Sequence, residues 1–186
     1  MARGREFNEG EVLRRAMHTF RARGYGKVSI PELEAATGIS SGSLYNSYGD
    51  KHGIFLASFT HYLSSVLDRR VQRYAGASKG LSGLRQLFLS LLDEPNGENF
   101  GCLITNTAIE FGADNALLAA TVQKGFGTLE QLFAERLADK PHPQLAAVRL
   151  LALYQGVLVL FRAGYDPKKI RRTINLEFDA MQEETK

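Results

Sequence analysis

The chain has 186 residues, 44% hydrophobic and 23% charged, with a net charge of +3 and a pI near 9.0. That balance supports a real globular core and permits a polyanionic partner. One cysteine, Cys102, excludes an intrachain disulfide framework and fits a reducing, cytoplasmic setting; no run of eighteen apolar residues predicts a membrane span, and the N-terminal MARGREFNEG lacks the apolar stretch of a secretory signal.

Helical periodicity recurs along the chain and alternating β-branched runs are absent, so the expected class is all-α. Arg3 and Arg5 sit on a terminal arm. Asn8 and Glu11 have capping-box spacing, Leu13, Ala16, Met17 and Phe20 mark one apolar face, and Gly24 stops the first helix. Ser29, with Glu32 three residues on and Pro31 in the first turn, starts a short second helix ending near Thr37–Gly38. Ser40 starts a third. Asp50 caps a long fourth helix to about Tyr74, with Ile54, Phe55, Ser58, Phe59, Tyr62, Val66 and Val71 as its apolar stripe. Five more follow: Leu81–Leu92, Gly101–Phe111, Ala116–Leu137 after an Asp114 cap, Gln144 to Ala163, and Lys168 to about Gln182. The count is nine helices.

Two short helices joined through a glycine are the pattern of a helix–turn–helix, whose second helix lies in the DNA major groove. The segment SSGSLYNSY (40–48) suits that place: small residues at 41–43, a hydroxyl at Tyr45 and an amide at Asn46, all short enough to approach base edges. Three helix starts, at Ser29, Ser40 and Asp50, can aim N–H groups at phosphates, and Lys51 adds a cation.

The stretch GYGKVSIPELEAATGISSGSLYNSYGDKHGIF (24–55) resembles the tetracycline-repressor (TetR) family of transcriptional regulators. Gly24, Tyr25, Ser29, Ile30, Leu33, Thr37, Gly38, Ile39, Ser40, Gly42, Ser43, Leu44, Tyr45, Tyr48, Asp50, Lys51, Ile54 and Phe55 match its pattern. The resemblance implies a nine-helix architecture with residues 1–52 as the DNA-binding domain (helix–turn–helix about 29–48) and 53–186 as a ligand-sensing and dimerisation domain. It implies that Ser29, Ser41, Tyr45 and Lys51 bind phosphates while Ser40, Gly42, Ser43 and Asn46 approach bases. The chain departs from the pattern at Val28, where a phosphate-donating threonine is usual, and at Glu34, where a small alanine packs the two helices. It also departs at Ser47, where an aromatic residue or histidine is common, and at Ser41, where a basic residue is frequent. A modest electrostatic contribution to DNA binding is the consequence.

The later helices carry enough apolar and aromatic residues, Leu117 among them, for a core. The resemblance implies an inducer cavity among them, for which Thr105, Asn106, Glu110, Gln123, Phe126 and Tyr154 are candidates. Cys102 falls at a helix start after a glycine turn, where a thiolate is favoured; it is either a reactive sensor of electrophiles or a small buried apolar residue. Stripes at Leu145, Val148, Ala152, Val157 and Phe161, and at Ile170, Ile174, Phe178 and Met181, resemble the family's dimer surface; otherwise they are satisfied within one chain.

The expected function is a homodimeric regulator, by resemblance a repressor, on a near-palindromic double-stranded operator, released by a small apolar or electrophilic inducer. The alternative is a helical adaptor that does not bind DNA. An enzyme is not expected. His18, His52, His61 and His142 have no ligand spacing, Cys102 has no local histidine, and no phosphate-binding glycine motif occurs, so no catalytic residue, metal or cofactor is assigned.

Overall fold

The computed structural model describes residues 7–76, 80–93, 100–112 and 116–183; the Arg3 and Arg5 arm, the Asp114 cap and the side chain of Leu117 lie outside them. The described residues form nine helices and no strand. Helix α1 (Glu9–Arg23) starts where the Asn8 side chain accepts the Glu11 N–H at 3.2 Å. Glu11 leaves the capping box half-closed, because its carboxylate instead takes Arg14 and Arg15, which hold it down at a pKa of about 2. Val12 heads the buried stripe of α1, with Ala16, Met17 and Phe20, in place of the expected Leu13. Helices α2 (Ile30–Thr37) and α3 (Ser41–Tyr48) follow.

Helix α4 runs from Lys51 to Ala75 without interruption but changes its winding. Lys51–His61 is α-helical, Tyr62–Leu67 is a π segment, and Asp68–Ala75 is α-helical again. A π turn holds one residue more than an α turn. The buried stripe therefore steps from Tyr62 to Leu67, five residues on, and the expected Val66 and Val71 are left half-buried.

Helices α5 (Gly80–Leu89, closed by a 3-10 turn Ser90–Leu92), α6 (Leu103–Phe111), α7 (Ala116–Arg136), α8 (Pro143–Arg162) and α9 (Pro167–Glu183) form the rest. Their centre is aromatic: Phe88 lies 5.7 Å from Phe133, 5.3 Å from Tyr154 and 5.2 Å from Phe178, centroid to centroid. Such offset and edge contacts add to the area that these rings bury.

The last two helices correct an expectation. Val157, Ile170, Ile174, Phe178 and Met181 are buried within their own chain, so they cannot present a face to a twin. A helical stripe needs a partner surface, and for α9 that partner is the chain's own core. What stays outside on α8 is the first part of the expected stripe, Leu145 at 70% exposure, Val148 at 48% and Ala152, joined by Val159 in place of the buried Val157, with Leu176 of α9 also at 70%. Phe161 is half-buried. By length and composition α8 is apolar enough to cross a membrane, yet only 28% of its most apolar window is buried. Arg149, in its middle, pairs with Glu177 of α9 at 2.5 Å.

Gly53 lets α3 and α4 meet. A Cβ there would sit 1.9 Å from the Tyr48 carbonyl oxygen, and backbone cannot step aside cheaply. Gly53→Ala is expected to cost roughly 2–3 kcal/mol, in the overpacking range. Thermal unfolding would show a melting temperature lower by about 5–10 °C in a chain of this size; an unchanged melting point would contradict the close approach.

Candidate nucleic-acid interface and adjoining cavity

Local signals position the short helices. Ser29 and Glu32 form a complete capping box, and Gly38 enters the left-handed region (φ 77°) to end α2, its N–H reaching the Glu34 carbonyl at 2.9 Å. Ser40 caps α3 through the Ser43 N–H at 3.3 Å, and Asp50 caps α4 through the Gly53 N–H at 2.7 Å. Leu33 and Leu44 are fully buried against α1 and α4, where Phe20 meets Phe55 edge-on at 5.0 Å. This packing fixes which side of α3 faces out: Gly42, Tyr45 and Asn46 are exposed, with Ser41 and Ser43 half-buried beside them.

Several of the expected phosphate donors are already engaged. The Ser29 hydroxyl donates to Glu32 at 2.8 Å, and that carboxylate also pairs with Arg23. These contacts hold the Glu32 carboxyl below the usual range, led by the backbone N–H of Ser29. The Ser40 hydroxyl donates to Ser43 at 3.1 Å. Lys51 lies half-buried over the Tyr25 ring, 4.3 Å from its centroid. Val28 is a core residue, so its threonine counterpart's hydroxyl would have faced packing, not solvent.

Glu34 has a place that sequence left open. Its carboxylate accepts the Ser41 N–H at 3.2 Å, so α2 supplies a cap to the first turn of α3. An acid near the C-terminal end of α2 is unfavourable to that helix dipole, and the N-terminus of α3 offsets it. The alanine-like close contact is thus replaced by a charged strap across the turn.

Behind this module lies a cavity of about 480 Å³ between α1, α6 and α8, walled by Arg23, Gly24, Cys102, Thr105, Asn106, Ile109, Glu110, Leu158, Val159 and Arg162. Four of the seven expected sensing residues meet there: Cys102, Thr105, Asn106 and Glu110. Phe126 and Tyr154 do not line it. Tyr154 belongs to the aromatic centre and to a much smaller void beside Tyr62 and Arg21, and Phe126 is half-buried on α7. Gln123 is exposed on the same helix. Cys102 is the N-cap residue of α6 and is buried. The Tyr62 hydroxyl, at the start of the π segment, donates to its sulfur at 3.4 Å. Burial first, then the neighbouring thiol, pushes the Tyr62 phenol well above its ordinary pKa, so it stays a proton donor.

Polar ties join the cavity wall to α1. Asn106 donates to the Arg21 carbonyl at 3.1 Å and to that of Phe100 at 2.9 Å; Thr105 donates to Gln155; Glu110 accepts the N–H groups of Tyr25 at 2.8 Å and Gly26 at 2.5 Å. Arg21 is buried and donates to the Gly101 carbonyl at 2.5 Å. Its position four residues after Met17, on the buried stripe, was the signal for this.

Residues 12–58 match the family model for bacterial regulatory proteins of the tetR family. A Bacillus subtilis (strain 168) relative, the uncharacterized HTH-type transcriptional regulator YezE, is 30% identical over 136 residues, covering 72% of this chain and 70% of the relative. The Escherichia coli (strain K12) HTH-type transcriptional repressor ComR is 26% identical, covering 91% of this chain and 87% of its own. Among solved structures, a cysteine mutant of the TetR family regulator CifR complexed with a 26 bp double-strand operator DNA superposes with a TM-score of 0.84. It is 22% identical and covers 97% of this chain and 100% of that one.

The Glu34 strap is testable by itself. Glu34→Ala leaves the Ser41 N–H uncapped by protein and is expected to cost about 1 kcal/mol, the scale of a lost helix cap. Chemical denaturation would show the reduced midpoint; equal midpoints would mean that water replaces the strap without loss.

Proposed function

The chain belongs to the tetR family of bacterial regulatory proteins, and from that premise we propose that it is a homodimeric cytoplasmic repressor of a near-palindromic operator, released by a small inducer or by modification of Cys102. The observation that carries the proposal is the α2–turn–α3 geometry, with Leu33 and Leu44 sunk in the core and Gly42, Tyr45 and Asn46 left outward. In this reading α3 lies in the major groove, with Asn46 and the small residues Ser40, Gly42 and Ser43 near base edges. Tyr45, Ser41 and the N–H groups of the helix starts meet phosphates. The acids Glu32 and Glu34 stand close to two of those starts, so the phosphate contribution is small and the dependence on salt is shallow. The reading module extends past residue 52 to about Phe59, because Phe20, Phe55 and Phe59 are one packed unit.

The uncovered row Leu145, Val148, Ala152 and Val159 supports a twin chain as the partner of α8. A two-fold axis through that row places two copies of α3 on one face of a duplex. Selection of bound sites from random duplex DNA is expected to enrich a near-palindrome. Val148→Glu, by putting a charge in the apolar row, is expected to yield a monomer in sedimentation and to cut affinity for the selected site at least about tenfold. A dimeric Val148→Glu chain would refute the assignment of this face, and no enrichment would refute the reader.

The cavity supports an effector site with apolar walls from Ile109, Leu158 and Val159 and a few polar groups. Cys102 on its wall is poised for addition to an activated carbon–carbon double bond: the sulfur–carbon bond forms as the π bond opens, and the thiol proton passes to the neighbouring carbon of the adduct. The Tyr62 hydroxyl donates to that sulfur and so fixes where it sits on the cavity wall. N-ethylmaleimide is expected to lower operator affinity of the wild type and to leave Cys102→Ser unchanged. A loss shared by both would show that the effect does not pass through this thiol.

A further inference from the structure

We infer that Glu110 is a latch between the cavity and the DNA-reading module, and that an occupant of the cavity acts on DNA binding by lifting it. The inference rests on the effector reading of that cavity. Glu110 sits in the last turn of α6, and its two oxygens accept the backbone N–H groups of Tyr25 and Gly26 in the turn between α1 and α2. The sequence separation is 84 and 85 residues, so the contact joins the sensing half of the chain to the reading half.

The turn is built to receive this carboxylate. A Cβ on Gly24 or on Gly26 would lie 3.0 Å from a Glu110 oxygen, tighter than side chains normally approach. The neighbouring Phe111 grips the same turn through its ring, 5.2 Å from that of Tyr25. Tyr25 in turn contacts Phe55 of α4 at 5.2 Å and lies under Lys51. Moving Glu110 therefore frees the backbone that leads into Ser29 and α2, while the ring contacts keep the module folded.

The same carboxylate belongs to the cavity wall. Glu110 follows Asn106 by one helical turn and Cys102 by two, and all three line the cavity with Arg23 and Arg162. An occupant reaching Cys102 thus shares a helix face with the latch. The Glu110 bonds are at the surface of the chain. Exposed bonds of this kind are weak enough for a ligand's modest differential affinity to open them. Glu110 is a positioning residue: it acts on where the module sits and touches no DNA.

Two variants test this. Glu110→Gln removes the charge and one acceptor; Gly26→Ala keeps the charge but places a methyl where the carboxylate sits. Both are measured by fluorescence anisotropy on the selected operator and on a duplex carrying one half-site, together with thermal melting. Both are expected to melt within about 2–4 °C of the wild type. Both are expected to hold the half-site as the wild type does, and to bind the full operator about tenfold more weakly, with the salt slope unchanged. Wild-type affinity for the full operator in both variants would overturn the inference. So would an equal loss on the half-site, because Glu110 would then support the module's own fold. In the maleimide titration, Glu110→Gln is expected to show little further loss; a further loss as large as the wild type's would overturn the latch as the route. Wild-type binding untouched by the maleimide adduct would overturn the thiol reading instead, and the half-site comparison would still decide the latch.

Discussion

The edge-on contact of Phe20 with Phe55, 5.0 Å between centroids, is the constraint from which the rest of the reading module follows. It fixes α1 against α4, and α2 and α3 have only the space that this pair leaves. Leu33 and Leu44 fill that space completely. Two helices of eight residues are too short to be stable alone. They persist because each is capped at its start and buried along one side. The outward residues of α3 are therefore a consequence of packing: once Leu44 points in, Tyr45 and Asn46 must point out.

The long helix α4 carries that arrangement into the larger half of the chain, and its π segment lies where the two halves meet. Tyr62 opens the segment and holds the Cys102 sulfur; that cysteine caps the start of α6, and Glu110 lies in its last turn. One short helix thus has a thiol at its start, a carboxylate at its end and an open cavity along one face. Charge is handled with restraint throughout this region. Glu34 caps α3, Glu32 caps α2 and Glu110 holds the turn, so three acids stand around a surface meant for a polyanion. Affinity that does not come from bulk electrostatics has to come from fit, and fit depends on where the module is held.

Much of this was legible in the sequence because it is local. Ser29 with Glu32, Ser40, Gly38 and Asp50 act within three or four residues of themselves, and each does what its spacing implied. Periodicity said that α9 has a buried face but could not say against what; Ile170, Ile174 and Phe178 turned out to serve their own chain. It also assumed a constant winding, and the extra residue in Tyr62–Leu67 moved the stripe from Val66 to Leu67. The long-range polar ties were beyond reach: nothing near Glu110 in sequence points to Tyr25, and Glu34 read as a misfit until its cap on Ser41 was seen. Four of the sensing candidates converged because they share α6, whereas Phe126 and Tyr154 were chosen by residue type, which carries no direction.

In the proposed dimer, two copies of α3 are held at a fixed spacing by α8 across a two-fold axis and by the junction of α6 with each reading module. Insertion of about five base pairs between the half-sites of the selected operator turns one half-site to the opposite side of the duplex. Binding measured on that spaced operator is predicted to fall to the level of a single half-site; undiminished binding would contradict the account.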